Sequence, residues 1–241
     1  MMYLVDTLKT RLRYPLKKLF YLGNRYYCPI CKSHIRLLQE AGIIRRQNAK
    51  CPVCGSLERH RLAWLVLEKH TSLFDGQPKK MLHIAPEGYL EKGFRKLEHL
   101  DSITSDIVGN HVDVNMDITA ISFSDNTFDV VYCSHVLEHI HNDYKAMQEI
   151  WRVLKAGGWA ALDVPITAEI TTEDPSITDP NERLRLFGQE DHVRRYGQDY
   201  PDRLTSVGFT VRRFSAAEIV GANHLRRFGL EANRLCFIGS K

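Results

Sequence analysis

From Lys80 onward short apolar runs take turns with amphipathic segments, and this alternation constrains the fold more than any other feature of the chain. The runs "MLHIA", "SITSDI", "TFDVVYCSH" and "WAALDVPI" read as strands. Between them, "YLEKGFRKLEHL" and "NDYKAMQEIWRVLKAGG" read as helices, the second stopped by Gly157 and Gly158. Alternation of this kind predicts an α/β fold, a doubly wound parallel sheet with helices on both faces. Ligands of such sheets bind beyond the carboxyl ends of the strands, where strand order reverses.

Upstream lies a different signal. Cys28, Cys31, Cys51 and Cys54 form C-x2-C-x19-C-x2-C. Two-residue spacing lets each pair grip one side of a tetrahedral ion, so the pattern predicts a zinc-ribbon-like module holding zinc, with an iron site or an unmetallated redox pair as the alternatives. Four protein ligands leave no open position, which makes the metal structural. The 241 residues, 44% of them apolar, can bury a full core. We therefore divide the chain into a basic amphipathic segment (1–25), the ribbon (26–60), a linking helix (61–79) and the main domain (80–241).

Charge follows the same division. Residues 1–80 carry 16 Lys and Arg against 5 acids, whereas residues 81–241 carry 17 against 24. The basic part predicts an anionic partner, whether a membrane surface, a phosphorylated glycan or RNA; a solvated basic face is the plainer alternative. Leu4, Leu8, Leu12, Leu16, Leu19 and Phe20 recur at helical spacing among the basic residues, with a kink expected near Pro15. Such a helix suits an anionic membrane or docking on its own domain. No apolar run is long enough to span a bilayer, and no cleavable leader is evident, so a cytoplasmic location, peripheral to a membrane at most, is expected.

Several residues of the main domain, taken in order, resemble the class I S-adenosylmethionine-dependent methyltransferases. These are Asp106 at the end of the second strand, "VNMDIT" with Asp117, "ISFSDNTFDVVYCSHVLEHI", the turn "LKAGG", and the closing pair "SVGFTVRRF" and "NRLCFIGSK". The resemblance implies a Rossmann-like sheet with terminal antiparallel strands, S-adenosylmethionine as cofactor, and cofactor contacts at His83, Ala85, Pro86, Glu87, Gly88, Asp106, Asp117, Ile118 and Ser134. One departure stands out. The family's first loop has an acid followed by glycines, where this chain has His83, Ala85 and Glu87, keeping only Gly88. Alanine is a small change there provided its φ is negative, and Glu87 is then the carboxylate that could meet the cofactor's ammonium group.

Methyl transfer needs alignment above all, with a base where the acceptor is a hydroxyl. His192, in the long insertion after the fifth strand, is the favoured base, and His135 at the end of the fourth strand is the second candidate. Neighbouring Glu190, Asp191, Arg194, Arg195 and Tyr196 would face the acceptor. The acceptor is expected to offer an oxygen or nitrogen of a small molecule, glycan or lipid-linked group. The alternatives are RNA methylation with the ribbon as RNA-binding element, and a non-catalytic scaffold whose cofactor loop has degenerated.

Overall fold

The computed structural model describes residues 14–42 and 45–241. The chain forms two compact units that interleave in sequence. One takes residues up to Asp75 together with Gly88–Lys96 and Phe214–Arg234; the other takes Gly76–Glu87, Leu97–Arg213 and Leu235–Lys241. The linear division at residue 80 places all of the later segments in a single domain, whereas by contact two of them join the N-terminal unit.

The second unit is organised by a seven-stranded sheet of β5 (Lys79–Ile84), β6 (Leu100–Asp106), β7 (Val114–Asn115), β8 (Phe128–Ser134), β9 (Leu154–Asp163), β13 (Thr210–Ser215) and β14 (Leu235–Ser240). Their spatial order is β13-β14-β9-β8-β5-β6-β7. The β5 strand pairs in parallel with both β6 and β8, β8 pairs in parallel with β9, and β14 runs antiparallel to β9. Order therefore reverses between β5 and β8, which places a crevice at their carboxyl ends. The sheet is coated by residues whose burial explains the apolar runs: Leu82, Ile84, Val131, Cys133, Ala160 and Leu162 are all 5% exposed or less. The α3 helix (Asp143–Val153) packs Met147, Ile150 and Val153 into the same core. Its start is capped by Asn142, which accepts the Lys145 N–H at 3.0 Å.

This helix ends at Val153, before the glycines, which corrects the expected stop signal. Leu154 already opens β9, and the register shift between β8 and β9 lies opposite the glycines. Gly157 has φ of +77°, the left-handed conformation that a bulge in a strand demands. A glycine after an amphipathic run thus marks a bulge here and not a helix cap.

The insertion after β9 is itself ordered. Ile166–Ala168 (β10), Thr172–Glu173 (β11) and Arg194–Gly197 (β12) form a three-stranded sheet in the order β10-β12-β11. A helix, α4 (Pro180–Phe187), starts at Asp179, which accepts the Glu182 N–H, and stops at Gly188.

The first unit is built around two antiparallel pairs, β1 (Leu22–Cys28) with β2 (Ser33–Ile35) and β3 (Gln39–Ala41) with β4 (Arg46–Lys50). Helix α1 (Glu58–His70) packs Trp64 on Phe94 of the short helix α2 (Gly88–Phe94), the rings stacked at 5.7 Å and 16°. Most of the expected basic amphipathic helix lies outside the described residues. Residues 14–20 are helical, and Leu16, Leu19 and Phe20 are 61%, 70% and 64% exposed. Among the described residues no helix is long and apolar enough to cross a membrane.

Candidate active site

Two residues at the reversal point have unusual backbones. Ala85 directly follows β5 with φ of +48°, and His135 directly follows β8 with φ of +56°. Each left-handed, non-glycine residue costs about 1–2 kcal/mol, and such strain persists where the surrounding structure over-determines it. Here the over-determination is visible. Ala85 donates its N–H to Ser105 O at 2.7 Å, and His135 donates its N–H to Asp163 O at 2.8 Å, each clamped by the neighbouring strand. The condition under which alanine would be a small change, a negative φ, is therefore not met: Ala85 sits in the left-handed region that favours glycine.

Around this point the expected cofactor residues divide. Pro86 and Glu87 are half-buried in the loop, and Gly88 is exposed where α2 begins. Asp106 closes β6, half-exposed, with Oδ1 on the Ile107 N–H at 2.7 Å and its carbonyl on the Met116 N–H at 3.0 Å. Asp117 is exposed and accepts from both N and Oγ1 of Thr119 at 2.8 Å, capping the single turn Ile118–Ala120. His83 lies deeper than expected of a ligand contact. It is fully buried, with its ring edge-on to Tyr132 at 5.2 Å, and so forms part of the packed floor below the loop. Ile118 and Ser134, at 5% and 6% exposed, are likewise largely interior.

The candidate bases come together around one carboxylate. Glu138 sits in the turn Leu137–His139 and is 1% exposed. Its Oε1 lies 3.1 Å from His135 Nδ1. Burial works to raise the Glu138 pKa, but the contact with His135 outweighs it and holds the carboxyl below its ordinary value. His139 Nδ1 lies 3.1 Å from Asp191 Oδ2, and its ring meets that of His192 at 4.7 Å and 83°. His192 is only 4% exposed, with Nδ1 3.1 Å from Phe187 O, and burial lowers its pKa. Of the two expected bases, His135, with a side chain 21% exposed, is thus the more accessible.

The segment "FGQEDHVRRYG", expected to face the acceptor, instead supports this turn from beneath. Arg194 is 2% exposed and donates to Leu137 O at 2.7 Å, Ile140 O, His141 O at 2.8 Å and the Glu173 carboxylate at 2.8 Å. Tyr196 is fully buried and donates to Asp143 Oδ2 at 2.6 Å, while Arg203 pairs with Asp143 Oδ1 at 2.8 Å. Arg195 is exposed and bonds Thr167. The sequence contained no sign of the roles of Glu173 and Arg203. The only hint for Glu138 was its place in "LEH".

In the first unit the four cysteines form the cluster their spacing predicts. Their sulfurs all lie within 4.8 Å of one another, with Cys28 and Cys54 at 3.7 Å and Cys31 and Cys51 at 3.8 Å. Thiolates about 2.3 Å from a tetrahedral zinc are roughly 3.8 Å apart, so the geometry fits. The Cys51 and Cys54 thiols are pushed up by their contacts with the Cys28 and Cys31 sulfurs, so a cation is what would let all four ionise. The residue after each pair, Lys32 at φ of +50° and Gly55 at +88°, turns the chain in the left-handed region to close the knuckle. Behind the second knuckle lies Arg61, fully buried. It donates to Phe228 O at 2.7 Å, Ala49 O at 2.8 Å, Gly229 O at 3.0 Å, Ser56 O at 3.2 Å and Asn48 O at 3.4 Å.

Comparison with known proteins agrees with the architecture. Residues 94–162 match the family model described as a methyltransferase domain. Among curated proteins, the chain is 33% identical over 90 residues to the ubiquinone/menaquinone biosynthesis C-methyltransferase of Klebsiella pneumoniae, covering 37% of this chain and 34% of that one. It is 41% identical over 59 residues to the enzyme of the same name from Hydrogenovibrio crunogenus, covering 24% and 23%. The chain thus spans about a third or less of these relatives. Among solved structures, the Haemonchus contortus phosphoethanolamine N-methyltransferase 2 in complex with S-adenosyl-L-methionine aligns with TM-score 0.51 and 14% identity, over 76% of this chain and 52% of that one. A SAM-dependent methyltransferase from Archaeoglobus fulgidus aligns with TM-score 0.50 and 15% identity, over 77% and 95%. The sheet order with its antiparallel β14 is that of the class I methyltransferase fold, and the matched segment lies within it.

Proposed function

We propose that the chain is an S-adenosylmethionine-dependent methyltransferase acting on an oxygen or nitrogen of a small-molecule, glycan or lipid-linked acceptor. The observation that carries this reading is the pair of strained residues, Ala85 and His135, at the carboxyl ends of adjacent parallel strands where sheet order reverses. The loop from Ala85 to Gly88 and Asp106 would hold the cofactor, Asp106 taking the ribose hydroxyls. Asp117 would close the adenine side. When bound, the cofactor supplies a sulfonium-activated methyl group. His135 Nε2 would accept the proton of an acceptor hydroxyl as the new bond to the methyl carbon forms and the sulfur–carbon bond breaks. Glu138, whose Oε1 lies 3.1 Å from Nδ1, would orient the imidazole, as a group behind a histidine base does. The curated relatives are named as C-methyltransferases, but over so short a match the acceptor atom is a matter for product analysis. The comparisons do not favour RNA methylation or a non-catalytic scaffold.

Calorimetric titration with S-adenosylmethionine and S-adenosylhomocysteine tests the reading. We expect both to bind, and Asp106→Ala to weaken both about ten- to a hundredfold, the loss of a charged hydrogen bond. No binding of either would refute it.

The cysteine cluster is proposed to hold structural zinc. One equivalent of zinc should accompany purified reduced protein, and its removal by a chelator should unfold the first unit; an unchanged spectrum after removal would refute that role. For the basic region we propose an anionic membrane surface as partner, because Leu16, Leu19 and Phe20 stand exposed beside Lys17 and Lys18.

A further inference from the structure

We infer that Glu138, His139 and His192 form a metal site, separate from the cysteine cluster, for a divalent first-row transition ion such as zinc. One ligand atom from each residue lies within 4.8 Å of the others. Donors about 2.0–2.2 Å from a tetrahedral ion are roughly 3.4 Å apart, so closure by at most about 1.4 Å would seat an ion. The half-exposed His139 is the side chain with room to make that movement.

The hydrogen bonding behind the histidines carries the argument further. His192 Nδ1 is hydrogen-bonded to Phe187 O at 3.1 Å, and the Asp191 carboxylate lies 3.1 Å from His139 Nδ1. A carbonyl or carboxylate behind each imidazole is the support that metal-binding histidines use to fix their tautomer and orient the second nitrogen. The second nitrogen of His192 is buried with no hydrogen-bond partner among the described residues. Such an atom costs about 1–3 kcal/mol when left unsatisfied, and an ion between it, His139 and Glu138 would remove that cost. Two imidazoles and one carboxylate suit zinc, manganese or iron(II) better than magnesium or calcium. Three protein donors leave a coordination position open to water or a ligand. The site adjoins His135 through Glu138 but does not depend on the methyl-transfer reading.

The test is cobalt(II) added to full-length protein whose cysteine cluster is already filled with zinc. We expect one further equivalent to bind, seen as weak visible bands without thiolate charge transfer; any cobalt entering the cysteine cluster shows that charge transfer and is not counted. His139→Asn and His192→Gln should abolish the weak bands, and Asp191→Asn should weaken cobalt binding about ten- to a hundredfold. His139→Asn alters a half-exposed side chain, so it remains decisive should His192→Gln fold poorly. Absence of the further equivalent from the wild-type protein, or bands indifferent to His139→Asn, would overturn the inference. Neither outcome bears on cofactor binding, which calorimetry reads independently.

Discussion

Replacing Arg61 by methionine should be among the most damaging single changes in the first unit. The side chain is similar in length but brings no donor. Five backbone carbonyls, from Asn48, Ala49, Ser56, Phe228 and Gly229, then lose a charged partner inside the fold. Each such bond is worth about 1.5–3 kcal/mol against an unsatisfied acceptor. The sum overstates the loss, because the wild-type protein also bears the cost of desolvating the guanidinium, and burial indeed lowers the Arg61 pKa. Removing one side of a buried charged network costs about 3–5 kcal/mol net. With a urea dependence of about 2 kcal/mol/M, the midpoint of the transition that includes the first unit should fall by roughly 1.5–2.5 M. Zinc release, followed with a chromophoric chelator, should shift with it, since Ala49 and Ser56 flank the second knuckle. Arg61→Lys should recover only part of the loss, because an ammonium offers three donors to five acceptors. A shift below about 0.5 M in Arg61→Met, equivalent to 1 kcal/mol, would show that the network is not what holds these segments.

Two further outcomes follow from the second unit. Ala85→Gly should stabilise the protein by about 0.5–1 kcal/mol, because relief of roughly 1–2 kcal/mol of left-handed strain exceeds the added chain entropy of glycine; a neutral or lower urea midpoint would refute the strain. Glu149 is held below its ordinary pKa by Arg152, which donates to it at 2.8 and 2.9 Å, and it accepts the Ile121 N–H at 2.9 Å. A depressed carboxylate contributes stability above its unfolded value of about 4.3 and loses it as pH falls through the folded value. The gap in urea midpoint between wild type and Glu149→Gln should accordingly be full at neutral pH and narrow in acid; a gap constant with pH would count against the assignment.

How far the sequence could be read depended on whether the signal was local. The β5, β6, β8 and β9 strands were legible because strands buried on both faces are short apolar runs whatever surrounds them. The cysteine cluster was legible because two-residue spacing is a local geometric requirement. Gly157 was misread, since a glycine after an amphipathic helix is the same letter whether it caps the helix or bends the next strand. Arg61 and Arg194 were illegible for a stronger reason. Arginine is mostly exposed, and both are buried only because the fold gathers carbonyls from segments far apart in sequence. His192 and Tyr196 misled in the same way: polar residues in a long insertion suggest a surface, and here they form the underside of the Leu137–His139 turn.

The interleaving of the two units governs how the chain can be made and cut. Translation delivers Cys28 to Cys54 early, yet the unit that contains them draws on Gly88–Lys96 and, last, on Phe214–Arg234. Until those residues emerge from the ribosome, Lys69 lacks Ile219 O and Arg61 lacks Phe228 O and Gly229 O. The nascent cysteine knuckles must therefore wait until Arg234 has been added before their unit is complete, and early metal capture is the step that would protect them from oxidation during that wait. A gene fragment ending near residue 80 would encode every cysteine ligand but could not encode the finished unit.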